Sequence, residues 1–306
     1  MSDLPPAAPE PSPATPPGFR VGLVAIVGRT NAGKSTLLNR LVGRKISIVT
    51  PKPQTTRETL HGVVNRPEGQ IVFVDTPGFF QTHASALVDQ LHSRAREAAQ
   101  DLDVLVHLVD PTRAPGPEDA MVSDLVKSVR APRLLCLGKS DAEIRPHAAY
   151  WRAQAANYEA VLEVSGLADI GVEELVAAIL RHLPFGEPLY PAGEVTNANR
   201  RFIVGELIRE QVYIQMEDEV PYRTKVVVER VEDVAPEKEG EPGRLLVHAT
   251  IYAPTDRLQR MLIGVGARRV KQMRQFARRE LRRHFGVPVD LELEIGIDRE
   301  AATPEG

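Results

Sequence analysis

Short apolar runs recur along the first 183 residues, with amphipathic stretches between them. "VGLVAIV" (21–27), "QIVFVD" (70–75) and "AVLEV" (160–164) each have the length of a buried strand. So do the apolar parts of "DVLVHLVDPTR" (103–113) and "PRLLCLGKSD" (132–141). "LLNRLVG" (37–43), "PEDAMVSDLVKSVR" (117–130) and "VEELVAAILRHL" (172–183) carry apolar residues at helical spacing, and Gly43 stands where a C-cap is expected. A further helix-rich stretch follows residue 141. "TPKPQTTRETLHGVV" (50–64) is polar and broken by proline before a strand-like end. The alternation predicts an α/β domain, a mostly parallel sheet wound with helices, whose ligand sits at the C-terminal ends of the strands.

The pattern changes at "PFGEPLYPAGE" (184–194), where Pro and Gly interrupt the helical spacing as in a linker. Beyond it, "RRFIVGELIREQVYIQM" (200–216) reads as a helix. "RTKVVVERVEDV" (223–234) and "GRLLVHATIYA" (243–253) read as strands around the charged turn "EKEGEPG" (237–243). "DRLQRMLIG" (256–264) and "ARRVKQMRQFARRELRRHF" (267–285) read as helices, and "PVDLELEIGI" (288–297) alternates as a last strand. The order is α-β-β-α-α-β, an α+β domain. The expected divisions are a tail at 1–19, a first domain at 20–185, a linker at 186–200, a second domain at 201–298 and a tail at 299–306.

Composition narrows the class. The first residues, "MSDLPPAAPEPSPATPPG", are too rich in Pro and Ala to bury a core, so a passive, disordered tail is favoured over a recognition ligand. No apolar run reaches the length of a membrane span, and the start has no signal-peptide pattern. The single cysteine, Cys136, lies in a strand pattern; it excludes an intramolecular disulfide and fits a reducing cytoplasm. The eight histidines show no metal-ligand spacing. The net charge of −3 says little, because charge is spread unevenly.

The first chemistry follows strand 21–27. "GRTNAGKST" contains G-x-x-x-x-G-K-S, with a helix after it. Backbone N–H groups of Gly28, Arg29, Thr30, Asn31, Ala32 and Gly33 can wrap phosphates, because glycine permits close approach. The helix N-terminus adds partial positive charge. Lys34 reaches the β- and γ-phosphates, and the Ser35 hydroxyl suits Mg²⁺. Downstream, Asp75 closes a strand and can hold Mg²⁺, while Thr76, Pro77 and Gly78 follow, with the Gly78 N–H placed to sense a γ-phosphate. Thr56, beside Arg57, is the candidate hydroxyl that reaches Mg²⁺ only with γ-phosphate bound; a surface loop with threonines for turn bonding is the other reading. Lys34, Thr56 and Gly78 are the catalytic candidates. Phe79 stands where many GTPases carry a water-orienting Gln, so slow intrinsic hydrolysis is expected.

A base-reading loop is expected after strand 132–137. Guanine-nucleotide-binding proteins usually carry Asn-Lys-x-Asp there, and this chain has Gly138, Lys139, Ser140 and Asp141. Asp141 can accept from guanine N1–H and the 2-amino group, Lys139 can cover the base, and a backbone N–H of Ser165-Gly166-Leu167 can bond the 6-oxo group, though Gly166 would serve more flexibly. Gly138 cannot bond N7 or brace the phosphate loop. One missing hydrogen bond is worth about 0.5–1.5 kcal/mol. Weaker but still guanine-selective binding is expected; broadened base use is the alternative.

The second domain is basic on one side. From Arg257 to Arg283 there are ten Lys or Arg and one acid, Glu280. Lys271, Arg274, Arg278 and Arg282 follow helical steps on one face. With Gly264, Val265, Gly266, Ala267, Arg268 and Arg269 at a tight helix–loop–helix, they suit a phosphate backbone, as when a KH module clamps single-stranded RNA on a G-x-x-G loop. A solvated helix face is the bland alternative.

"GRTNAGKS", "PQTTR", "DTPG", "GKSD" and "SGL", joined to "RRFIVGELIRE" and "VPYR", closely resemble the Era family of bacterial GTPases over residues 20–297. The resemblance implies a P-loop GTPase domain followed by a type II KH domain. It implies GTP and GDP as substrate and product with Mg²⁺, held by Ser35, Thr56 and Asp75. It implies binding to the 3′ region of 16S ribosomal RNA, a role in maturing the 30S subunit, and a monomer in the cytoplasm loosely associated with the inner membrane face. A nucleotide-insensitive RNA-binding scaffold with a degenerate GTP site is the rival reading. Three features depart from the family: Gly138, Ala267 in place of the second loop glycine, and "DREAATPEG" in place of a longer aromatic-containing C-terminus.

Overall fold

A computed structural model describes residues 16–49, 60–75, 102–217, 220–236, 240 and 242–298. Both expected tails lie largely or wholly outside them.

In the first domain a six-stranded sheet has the order β2-β3-β1-β4-β5-β6, from β1 (Arg20–Val27), β2 (Leu60–Arg66), β3 (Gly69–Asp75), β4 (Val104–Val109), β5 (Arg133–Leu137) and β6 (Ala160–Glu163). Only β2 runs antiparallel, through a tight turn into β3. The central strands are covered on both faces, which is why β4 is buried at every position and reads as an unbroken apolar run. Alternate side chains serve opposite faces. Val24, Val106, Leu134 and Cys136 meet α1 (Lys34–Val42) and α4 (Val172–His182). Ala25, Val27 and Leu105 meet α2 (Pro117–Ser128), while Leu135 and Leu137 meet Trp151 of α3 (Ala148–Arg152). Burial pushes the Cys136 thiol up to about 12, so it is an inert core residue.

Residues 186–199 form a strap along the antiparallel edge rather than a free tether. Gln70, almost fully buried, accepts from the Leu189 and Tyr190 amides (2.8 and 2.9 Å) and donates to the Tyr190 carbonyl (2.8 Å). The Val63 amide donates to Val195 O (2.9 Å), and the His61 amide to Asn197 Oδ1 (2.9 Å). The strap thereby satisfies polar groups at the sheet edge.

The second domain runs α5 (Arg200–Gln215), β7 (Lys225–Val234), β8 (Arg244–Ala253), α6 (Asp256–Ile263), α7 (Arg268–Phe285) and β9 (Val289–Ile297). β8 lies between β7, antiparallel, and β9, parallel. This is the α-β-β-α-α-β order expected of a type II KH domain. Its core is separate from the first, with Leu207, Ile208 and Val212 of α5 and Met273, Ala277 and Leu281 of α7 packed on Val247, Ala249 and Ile251 of β8.

Candidate nucleotide and RNA sites

The phosphate loop leaves β1 at Gly28, where a Cβ would lie 2.2 Å from the Leu108 carbonyl oxygen, so only glycine fits. Asn31 and Gly33 take left-handed backbone (φ 62 and 104), which curls the loop ahead of α1. Lys34 Nζ arches back and donates to the carbonyls of Gly28 (2.8 Å) and Arg29 (2.9 Å). Ser35 Oγ lies 3.1 Å from Ser47 Oγ. Asn39 fixes that neighbour, accepting from the amides of Ile46 and Ser47 and donating to the Ser47 carbonyl (2.8–2.9 Å). Sequence reading passed over Asn39, because its partners are set by the turn after α1. Asp75 ends β3, whose Val74 pairs with Ala25 of β1, so its backbone stands beside the loop. Thr56, Thr76, Pro77, Gly78 and Phe79 lie outside the described residues.

The base side is built by the ends of β5 and β6. At Gly138 a Cβ would be 3.0 Å from the Val109 carbonyl oxygen and 3.5 Å from that of Ala32 in the phosphate loop. Lys139 turns through left-handed backbone (φ 53), and its ammonium donates to Asp110 Oδ2 (2.6 Å). Burial opposes ionisation of Asp110, yet hydrogen bonds from Lys139 and Thr112 outweigh it and hold the carboxyl below its usual range. Asp110 is a second residue that sequence reading missed; it lies 29 positions from Lys139. Asp141 is exposed at the loop tip. The Ser140 amide donates to the Val164 carbonyl (3.1 Å), and Ser165 and Ile170 exchange backbone bonds, which tie this loop to the Ser165-Gly166-Leu167 turn. At Gly166 a Cβ would meet the α1 backbone at Leu37 Cα (2.8 Å), so close packing on α1 selects glycine.

On the second domain, Gly264 (φ 70, ψ 170) ends α6 in a conformation open to glycine alone. Gly266 and Ala267 both take left-handed backbone (φ 59 and 57), so Ala267 performs the turn that a second glycine would make freely. Val265 is 96% exposed at the tip. Arg268, Lys271, Arg274 and Arg278 are exposed, with no ion pair among the described residues. Arg269 is also exposed, but donates to the Met261 carbonyl (3.0 Å) and so holds the end of α6. Glu280, the one acid of the stretch, faces Arg283 (2.7 Å) and Lys45 of the first domain (3.3 Å). Lys45 also pairs with the buried Glu210 of α5 (2.5 Å), whose other oxygen accepts from the Val49 amide (3.1 Å). The segment leading out of α1 thus touches α5 and α7 of the second domain.

One donor group that the histidine spacing did not foretell comes from neighbouring strands. His248, Glu292 and Glu294 bring ligand-type atoms within 4.8 Å of one another on the outer face of the second sheet. The nearest contact, His248 Nε2 to Glu294 Oε1 at 4.0 Å, is a loose surface pair.

The G-x-x-x-x-G-K-S loop lies between β1 and α1, and the Lys-x-Asp turn follows β5, two strands away in the sheet. Fold and site together define a P-loop nucleotide-binding protein of the GTPase class. The family model described as 50S ribosome-binding GTPase matches residues 23–139. GTPase Era of Halothermothrix orenii is 34% identical over 293 residues, 94% of this chain and 96% of its own length. GTPase Era of Bordetella avium is 36% identical over 293 residues, again 94% and 96%. A solved Era bound to MgGDPNP and nucleotides 1506–1542 of 16S ribosomal RNA superposes with a TM-score of 0.80 at 31% identity, covering 94% of this chain and 97% of that one. An Aquifex aeolicus Era variant bound to GDP·AlF4⁻ gives the same figures. The chain belongs to the Era family of GTPases. No helix among the described residues is long and apolar enough to cross a membrane.

Proposed function

We propose that this chain is a GTP-hydrolysing switch that binds the 3′ region of 16S ribosomal RNA and assists assembly of the 30S subunit. The observation that carries it is the junction at Lys45. The turn that holds Ser47 against Ser35 also contacts α5 and α7, so a change at the phosphate site reaches the RNA-facing helix. The hydroxyl and carboxylate donors of Ser35, Thr56 and Asp75 are hard oxygen ligands that suit Mg²⁺. The ion would neutralise charge on the phosphates. Lys34 and amides of the phosphate loop other than that of Thr30, which Glu118 takes, hold the phosphates, Gly78 senses the γ-phosphate, and hydrolysis is in-line attack of water helped by positioning and electrostatics. Asp141 selects guanine, while Asp110 orients Lys139 toward the base. Residues 264–269 with Lys271, Arg274 and Arg278 form the RNA surface, in a second domain spanning 201–298. A cytoplasmic monomer with peripheral contact at the inner membrane face is proposed on the family resemblance alone.

The test is the affinity of a 3′-terminal 16S fragment at several salt concentrations, with a GTP analogue or GDP. Binding at least fivefold tighter with the analogue is expected. Lys271→Ala with Arg274→Ala should lower the salt slope by about 1.4, near 0.7 per lost phosphate contact on single strands. Equal affinity with both nucleotides, unchanged by Lys34→Ala, would leave a nucleotide-insensitive scaffold instead.

A further inference from the structure

The phosphate loop has two flanks, and they are supported unequally. On the flank toward the base stands Gly138, with no side chain to offer, although a Cβ there would lie 3.5 Å from the loop's Ala32 carbonyl oxygen. A second flank meets the first turn of α2. Arg29 Nη1 pairs with Asp119 Oδ2 at 2.9 Å and also donates to the Ala114 carbonyl at 3.2 Å. The Thr30 amide donates to Glu118 Oε2 at 3.1 Å. The same Asp119 oxygen accepts from the Gly116 amide (2.9 Å) and so fixes the start of the helix. The pair is desolvated: the side chains of Asp119 and Arg29 are 5% and 15% exposed.

This contact needs a reason. A carboxylate next to an anion-binding loop opposes the ligand's charge. Simple electrostatics would place none there. What the carboxylates hold is the loop's outer turn. Arg29 and Thr30 precede Asn31, whose left-handed backbone must be held in place. The Arg29 carbonyl also receives the Lys34 ammonium. A shift at Arg29 therefore moves both the loop turn that its carbonyl closes with the Ala32 amide and the cation meant for the β- and γ-phosphates.

We propose that Asp119, assisted by Glu118, is a positioning residue for the nucleotide: it holds the phosphate loop from the α2 flank and takes over the support that Gly138 leaves out on the base flank. Neither carboxylate touches phosphate or base; both act through Arg29 and Thr30. The support is the same for substrate, transition state and product, so its loss weakens binding of all three and leaves the chemical step nearly untouched.

The experiment is a titration of the full chain with fluorescent GDP and GTP analogues, together with steady-state hydrolysis. Asp119→Asn keeps an oxygen for the Gly116 amide and removes only the charged pair. It should weaken both nucleotides about tenfold, which is about 1.4 kcal/mol, raising KM with kcat changed less than about threefold. Unchanged binding, or tighter binding from the removed negative charge, overturns the proposal, as does a fall in kcat with KM unchanged. Arg29→Met cuts the same pair from the other side, and the double variant should lose no more than the worse single variant; additive losses contradict a shared contact. In a Gly138→Asn background the effect of Asp119→Asn should shrink below about threefold, and an undiminished loss overturns the division of support between the flanks.

Discussion

Two loops depart from the family pattern at one residue each, in opposite directions. At 138 a side chain is missing, and at 267 one has been added. Gly138 sits against the backbone of β4, where a Cβ would stand 3.0 Å from Val109 O and press on Leu108. Paired charges stand next to it in sequence and farther along the phosphate loop: Lys139 with Asp110, and Arg29 with Asp119. Ala267 is half-buried, beside an exposed Gly266 whose added Cβ would meet nothing within 4 Å. The methyl of Ala267 comes with a left-handed backbone that alanine adopts at a cost. In a packed loop a lost side chain shifts the burden to neighbours; in an open loop a gained one becomes local strain.

The contrast extends to the whole domains. The first buries a polar pair in its core. His107, almost fully buried on β4, meets the Tyr158 hydroxyl (2.7 Å) and the edge of Trp151. The second turns Lys271, Arg274 and Arg278 outward without ion pairs among the described residues. Acid should therefore act strongly on the first domain. Burial pushes His107 down to about 4 from an ordinary 6.5, so the folded domain holds the neutral ring. Its contribution is complete above pH 6.5 and is lost as pH falls toward 4, about 2 kcal/mol between pH 6.5 and 5. Trp151, the only tryptophan, reports that unfolding by its fluorescence. His107→Gln should flatten the profile over this interval; a wild-type profile that is already flat would contradict a buried neutral ring.

A smaller effect is expected from the open loop. Ala267→Gly should relieve about 1 kcal/mol of left-handed strain, offset in part by the greater freedom of glycine in the unfolded chain. Denaturant unfolding followed by a probe in the second domain measures it. A variant less stable than the parent would show that the alanine methyl has packing that outweighs its strain.

Much of the first domain was legible because its signals are local. A five- or six-residue apolar run, a G-x-x-x-x-G-K-S loop and helical spacing occupy contiguous residues, and each was found where the sequence placed it. What escaped is held by pairs far apart in the chain. Asp119 finds Arg29 across 90 residues, Gln70 finds Tyr190 across 120, and Lys45 finds Glu210 across 165. No periodicity records such contacts; they exist only once the strands have ordered side by side. The crowding at Gly166 was illegible for the same reason, since the α1 backbone beside it lies about 130 residues away in the sequence.

The most direct measurement is a calorimetric titration with the Mg²⁺ complexes of GTP, GDP, ATP and XTP, on the wild type and on Asp141→Asn. The account predicts guanine over adenine in the wild type despite Gly138, with a shift toward XTP in the variant, because an amide at 141 can donate to the 2-oxo group of xanthine where the carboxylate accepted from guanine. Equal binding of ATP and GTP by the wild type would contradict it.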